Sequence, residues 1–132
     1  MSIHELKELR KIDYSRWKSL RCPLLDEEVS FNKDGFYHLT HDGRGRIRKE
    51  SDQRMRLNLL PDVRKVIYRS REFGAEKRTI LAEQNRFGKN LYFYELTYRF
   101  NNRKVVSVVL RRIGEGGKLH YYSVRFYKRN KH

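Results

Sequence analysis

Two periodicities divide the chain. Up to about residue 71 separate stretches carry the three- and four-residue apolar spacing of helices, and beyond Gly74 apolar residues alternate with polar ones. Residues 2–12 predict a short helix, with Ser2 as its cap, Glu5 completing a capping box, and Ile3, Leu6 and Leu9 as a narrow apolar stripe. Residues 13–26 have no clear period and contain Pro23, which predicts a connector with Trp17 and Leu20 packed on the body. EVSFN at 28–32 predicts a short strand or an extended lead-in, GFYHLT at 35–40 one or two helical turns, and HDGRGRIR at 41–48 a glycine-rich basic loop. A helix follows from about Ser51 to Leu59. Pro61 then suits the first turn of another over 61–71, whose buried face is Leu60, Val63, Val66 and Ile67.

The alternating part falls into four runs, 76–84, 90–101, 103–113 and 118–128, separated by Gly88, Asn101-Asn102 and the Gly114–Gly117 turn. Such turns between alternating runs predict hairpins. The fold class is therefore α+β, with N-terminal helices packed on one face of a four-stranded antiparallel sheet. Residues 1–27 form an N-terminal helix and connector, and 28–132 the main body, within one globular unit. Strict alternation puts Tyr94, Leu96, Val108, Leu110, His120, Tyr122 and Val124 against the helices. The other face then carries Glu95, Thr97, Arg99, Ser107, Arg111, Tyr121, Ser123 and Arg125. A one-residue bulge would exchange parts of these sets, and His120 is the residue most exposed to that exchange.

Charge changes what this second face implies. The 132 residues include 31 Lys and Arg against 16 Asp and Glu, a net charge of +15. Self-repulsion of that size is relieved by a polyanion, and nucleic acid is the first candidate. Aromatic residues make up 13% of the chain, enough to close a core despite the charge. Cys22 is the only cysteine, which excludes an internal disulfide and a Cys-based zinc site. There is no apolar N-terminal run and no apolar stretch long enough to span a bilayer, so a cytoplasmic protein without a membrane partner is expected.

RNA cleavage is the chemistry these residue types fit, because the ribose 2′-hydroxyl is itself the nucleophile. It needs a base, an acid and cations for the charged phosphorane, and neither a cofactor motif nor a metal cluster is evident in the sequence. His38, at the end of GFYHLT and before Arg44, Arg46 and Arg48, is the first acid–base candidate. His41 is its understudy, and His4 and His132 lie too near the termini. Glu95 or His120 is the second proton carrier, with Glu95 equally suited to pairing with Arg99 or Arg111. Ser123 can hydrogen-bond a phosphate, Tyr121 can stack on a base, and Arg99, Arg111, Arg112 and Arg125 supply cations. The competing expectation is a basic module that holds RNA without cutting it.

VSFNKDGFYHL, a basic stretch and RMRLNLLPDVRKVI resemble the front half of the phage-type nucleases of the barnase–EndoU–colicin–RelE superfamily. VVSVVLRRIGEGGKLHYYSV is similar to their closing hairpin. The resemblance spans about two thirds of the chain and implies a compact, metal-independent RNase, often a toxin or effector, opposed by an acidic antitoxin or immunity protein. It puts the front-motif histidine on His38, the basic third-strand position on Arg111 or Arg112, and the small hydroxyl of the last strand on Ser123. The oligomeric state is left open.

Overall fold

In the computed structural model the described residues are 1–127, excluding the side chains of residues 75–77. Lys128, predicted to end the last strand, and His132 lie outside them. The chain runs through α1 (Ile3–Ser15), β1 (Leu20–Cys22), β2 (Glu27–Ser30), α2 (Lys33–Tyr37), α3 (Glu50–Leu59), α4 (Val63–Arg69), β3 (Glu72–Ile80), β4 (Leu91–Asn101), β5 (Lys104–Ile113) and β6 (Leu119–Phe126). Short 3-10 turns occupy Leu60–Asp62, with Pro61 inside, and Ala82–Gln84.

The α+β class holds, but among the described residues the sheet has six strands in the order β1-β2-β6-β5-β4-β3, not four, and it is mixed. β3 to β6 form the expected antiparallel meander. The two added strands come from 20–30: β1 and β2 make a hairpin, and β2 pairs in parallel with the start of β6 through Val29–Leu119 and Ser30–His120. β1 lies in the stretch expected to be connector, and three residues are too few to display a period. Asp26, at φ 56°, closes the turn between them. Cys22 is thus a strand residue, fully buried, and burial pushes its thiol pKa up.

The capping box of α1 is present, with Ser2 Oγ accepting from Glu5 N at 3.0 Å and Glu5 Oε1 from Ser2 N at 3.2 Å. The helix runs on to Ser15 because its buried line is Leu6 and Tyr14, two turns apart. Between them Arg10 Nε donates to the Leu57 carbonyl at 2.8 Å. Leu9, expected in the stripe, faces out. Leu57, Leu60, Val63, Val66 and Ile67 pack against Leu96, Val108, Leu110, Leu119 and Val124 on one face of the sheet. Each such side chain contributes roughly 1.5–3 kcal/mol by leaving water. Leu6 and Tyr14 belong to this same core, so residues 1–27 are part of one body with the rest. Among the described residues, no helix is long and apolar enough to cross a membrane.

The opposite face is not an open wet surface. Leu91, Phe93 and Val109 form a second apolar cluster there, joined by Ile80, Phe87, Ile113 and Tyr122. The connector after β3 brings Phe87 onto this face. The register of β3 against β4 also slips, from Phe73–Leu96 to Lys77–Tyr94. That irregular stretch lays Gly74 so tightly on Glu95 that a Cβ there would lie 2.0 Å from Glu95 Oε1. The sheet curls, and Glu95, Ser107, Arg111 and Ser123 are all buried beneath the curl.

A second close approach fixes α2. Asn32 caps it, with Oδ1 accepting from Gly35 N at 3.1 Å. A Cβ on Gly35 would meet the Tyr121 carbonyl oxygen at 2.6 Å and the Tyr121 ring at 2.7 Å. Gly35→Ala should therefore lower the unfolding free energy by about 1–3 kcal/mol. Gly116→Ala, with nothing within 4 Å of its Cβ, should change it by less than about 0.5 kcal/mol. Urea unfolding of the two variants checks this.

Candidate functional site

One backbone irregularity builds the site. Along the β5–β6 ladder Val109 pairs with Ser123 and Leu110 with Tyr121, leaving Tyr122 without a counterpart. This is a one-residue bulge, which reverses the alternation on its N-terminal side. Beyond it, Arg111 faces His120 across the ladder. Residues directly opposite share a face, so His120 lies beside Arg111 and Tyr122 joins them, while Tyr121 turns into the core.

The expectation for Tyr121 is thereby corrected. It is fully buried and cannot stack on a base. Burial pushes its pKa well up, and its hydroxyl has no hydrogen-bond partner among the described residues. The expectation that His120 and Tyr122 face the helices fails for the same reason.

His38 arrives from another direction. It is the C-cap of α2, and its ring stacks on Tyr122 with centroids 4.3 Å apart. The Arg111 guanidinium lies over the same Tyr122 ring at 4.6 Å and over Phe87 at 5.3 Å. Arg111 Nε is 2.9 Å from His120 Nε2, and its Nη2 is 3.0 Å from Asp34 Oδ2, in α2. Arg48, from the basic loop, holds His38 twice. Its Nε donates to the His38 carbonyl at 3.0 Å and its Nη2 lies 3.0 Å from His38 Nε2. Asp52, near the start of α3, ties Arg48 at 3.2 Å to Arg56 at 2.8 Å. Arg56 then reaches β6, where Nη1 donates to Ser123 Oγ and to the Val124 carbonyl, both at 3.0 Å.

A guanidinium can only donate hydrogen bonds, so in both pairs the imidazole Nε2 is the acceptor and the ring is neutral with its proton on Nδ1. The electrostatics agree. Burial, followed by Arg48, Arg56 and Arg111, pulls His38 down to about 3, opposed by Asp42. Burial and then Arg111 pull His120 down to about 4, opposed by Asp34. Three guanidiniums thus meet two carboxylates and two neutral imidazoles, an excess of one positive charge. Arg111 Nη1 has no partner among the described residues, so a donor is left for an anion.

The chain matches no protein-family model, no curated protein and no solved structure.

The remaining expected site residues divide as follows. Glu95 shares the face with Arg111, but Ser107 Oγ donates to its Oε2 at 2.5 Å and Arg125 Nη2 approaches it at 3.2 Å. Ser123 is engaged by Arg56. Arg112 ties the sheet to β2 and the Gly turn, through Glu27 at 2.6 Å and the Gly117 carbonyl at 2.8 Å. Arg99 is exposed and, among the described residues, reaches the Asn101 carbonyl. Arg44 and Arg46 are exposed on the loop, where Asp42 accepts from both backbone amides and from Arg46 Nε. His41 stacks on Tyr37 at 4.0 Å and bonds Thr40. Asp34, Asp52, Arg56, Phe87 and Tyr122 carry the cluster, and none of them was singled out from the sequence. Among the described residues, no group of three or more His, Cys, Asp or Glu is placed to hold a metal ion.

The two imidazoles make stability depend on pH. Each has a folded pKa below its unfolded value near 6.5, so the unfolded chain takes up protons first as pH falls. Their contribution is intact above about pH 6.5. It falls on the order of 1 kcal/mol per imidazole per pH unit below that, down to about pH 4 for His120 and about 3 for His38. Urea unfolding at pH 7.5 and 5.5 should show a larger loss for the wild type than for His120→Gln. Equal losses would contradict the assignment of His120 as a neutral, arginine-bonded group.

Proposed function

We propose that this protein is a metal-independent endoribonuclease that cleaves RNA by attack of the 2′-hydroxyl, leaving a 2′,3′-cyclic phosphate. The observation that carries the reading is that His38 and Arg111 meet on the Tyr122 ring while His120 is bonded to Arg111, with an excess positive charge that one phosphodiester would neutralise. Two imidazoles supply the proton acceptor and the proton donor that transesterification requires. Arg111, backed by Arg48, stabilises the phosphorane. Tyr122 holds the first imidazole and the guanidinium in fixed relation. Arg44 and Arg46, exposed on the neighbouring loop, take the flanking phosphates. Glu95 is given no proton-transfer role, because its carboxylate is bound to Ser107 and Arg125.

The resemblance to the barnase–EndoU–colicin–RelE nucleases supports the same reading, through the histidine at 38 and the arginine at 111. On that view the protein works in the cytoplasm as a toxin or effector, and an acidic antitoxin or immunity protein neutralises it through the net charge of +15.

A non-catalytic RNA-binding module is the second reading. What favours it is the burial of Arg111 and His120, 5% and 4% exposed, with the Nε2 atoms of His38 and His120 both engaged by arginines. Incubation with RNA in EDTA separates the two. The nuclease reading predicts cyclic-phosphate ends and no cleavage of a 2′-deoxy substrate. His38→Ala should lower the rate about 10²–10⁴-fold, and Arg111→Ala about 10²–10³-fold. RNA bound but intact across the pH range would leave the binding module. Affinity falls with salt under both readings and does not distinguish them.

A further inference from the structure

In the resting site the two imidazoles are masked. His38 Nε2 accepts from Arg48 and His120 Nε2 from Arg111, so neither ring has a free lone pair and neither carries a charge. A catalytic pair of histidines needs one of each: a free base and a charged acid. The masking groups are themselves the best anion binders in the cluster. A phosphate oxygen is a stronger acceptor for a guanidinium than an imidazole nitrogen, because the bond is then charge-assisted on both sides.

We propose that an oxyanion bound between Arg48 and Arg111 draws both guanidiniums off the imidazoles, and that this exchange arms the site. The inference rests on the nuclease reading for its purpose, though not for its geometry. The ligand class is a phosphodiester or another tetrahedral oxyanion.

The surroundings favour the exchange. His38 faces Arg48 from the basic loop, Arg56 from α3, Arg111 from β5 and the single carboxylate of Asp42. His120 faces Arg111 and Asp34. Both rings are held neutral by burial and by cations, so an arriving negative charge acts on both in the same direction and raises their proton affinity. Arg111 has Nη1 available before any bond breaks, and its bond to Asp34 is to a side chain 43% exposed, which water can take over. Tyr122 and Phe87 hold the Arg111 guanidinium by its faces, which leaves its edge able to change partners. An unoccupied site is then idle at neutral pH, and the substrate supplies the missing charge.

Nitrogen-15 imidazole spectra of the whole protein test this. His38 and His120 are titrated alone, with sodium sulfate as the free oxyanion, and with a 2′-deoxydinucleoside monophosphate as an uncleavable diester. Without ligand both rings should stay neutral, with the proton on Nδ1, down to at least about pH 5. Either probe should raise both midpoints by about one pH unit or more, a tenfold gain in proton affinity. Sulfate and diester acting alike indicates recognition of the oxyanion alone, and a stronger effect of the diester adds contacts beyond it. Midpoints unmoved by both probes up to high millimolar concentration overturn the proposal, as does a charged ring at pH 7 in the free protein. In Arg48→Gln the His38 midpoint should rise without ligand and stop responding to sulfate, while His120 still responds. If that variant does not fold, the wild-type titration decides alone. Midpoints that rise in a protein that leaves RNA intact count against the nuclease reading only. RNA cut while the midpoints stay fixed counts against this exchange only.

Discussion

Ser123 pairs with Val109 and Tyr121 with Leu110, and the residue between them has no partner across the ladder. The rest of the molecule depends on that single unpaired position. With strict alternation, His120 and Tyr122 would point into the aliphatic core among Leu110 and Val124, and Tyr121 would point out. An imidazole buried there would lack the arginine that satisfies its lone pair, at a cost of about 1–3 kcal/mol. The bulge instead puts Tyr121 under Gly35 of α2, and gives Arg111 both an acceptor and a ring to lie on. Docking of α2, and with it the position of His38, follows from the same shift of one residue.

The cluster that results is a balance between burial and charge. Guanidiniums on side chains only 6–11% exposed are costly unless their donors are met. Here Asp34 and Asp52 meet part of the cost, imidazole lone pairs and the Val124 carbonyl another part, and the rings of Tyr122 and Phe87 cover the faces. The arrangement is stable only while the histidines are neutral. This ties the stability of the fold in mild acid to the protonation of the two imidazoles, the same protons on which the proposed chemistry depends.

Much of this was legible in the chain. The capping box of α1, the proline in the turn before α4 and the Asn-Asn and Gly114–Gly117 turns of the meander are local signals, and those elements formed where the signals lay, whereas β3 runs over Glu72–Ile80 and not over the expected 76–84. His38 and Arg111 were legible as candidates from residue type and parity. The pairs that join them to the site were not. Arg111 and Asp34 lie 77 residues apart, and Arg56 and Ser123 lie 67 apart, so no local spacing relates them. β1 is too short to show a period. The bulge at Tyr122 left no mark, because HYYS satisfies alternation in either phase, and from that one slip came the wrong faces for His120, Tyr121 and Tyr122. Nor did sequence show that the second face is roofed, since Phe87 and Gly74 act from an irregular connector and an irregular strand.

The most direct test of the account is the through-space contact of the Tyr122 ring protons in a nuclear Overhauser spectrum. The structure predicts contacts to the His38 imidazole, to the Arg111 side chain and to Phe93, whose ring lies 5.4 Å away. Contacts from Tyr122 to the methyl groups of Leu110 and Val124, with Tyr121 beside His38 instead, would mean that the strand has no bulge there and that the proposed site does not exist.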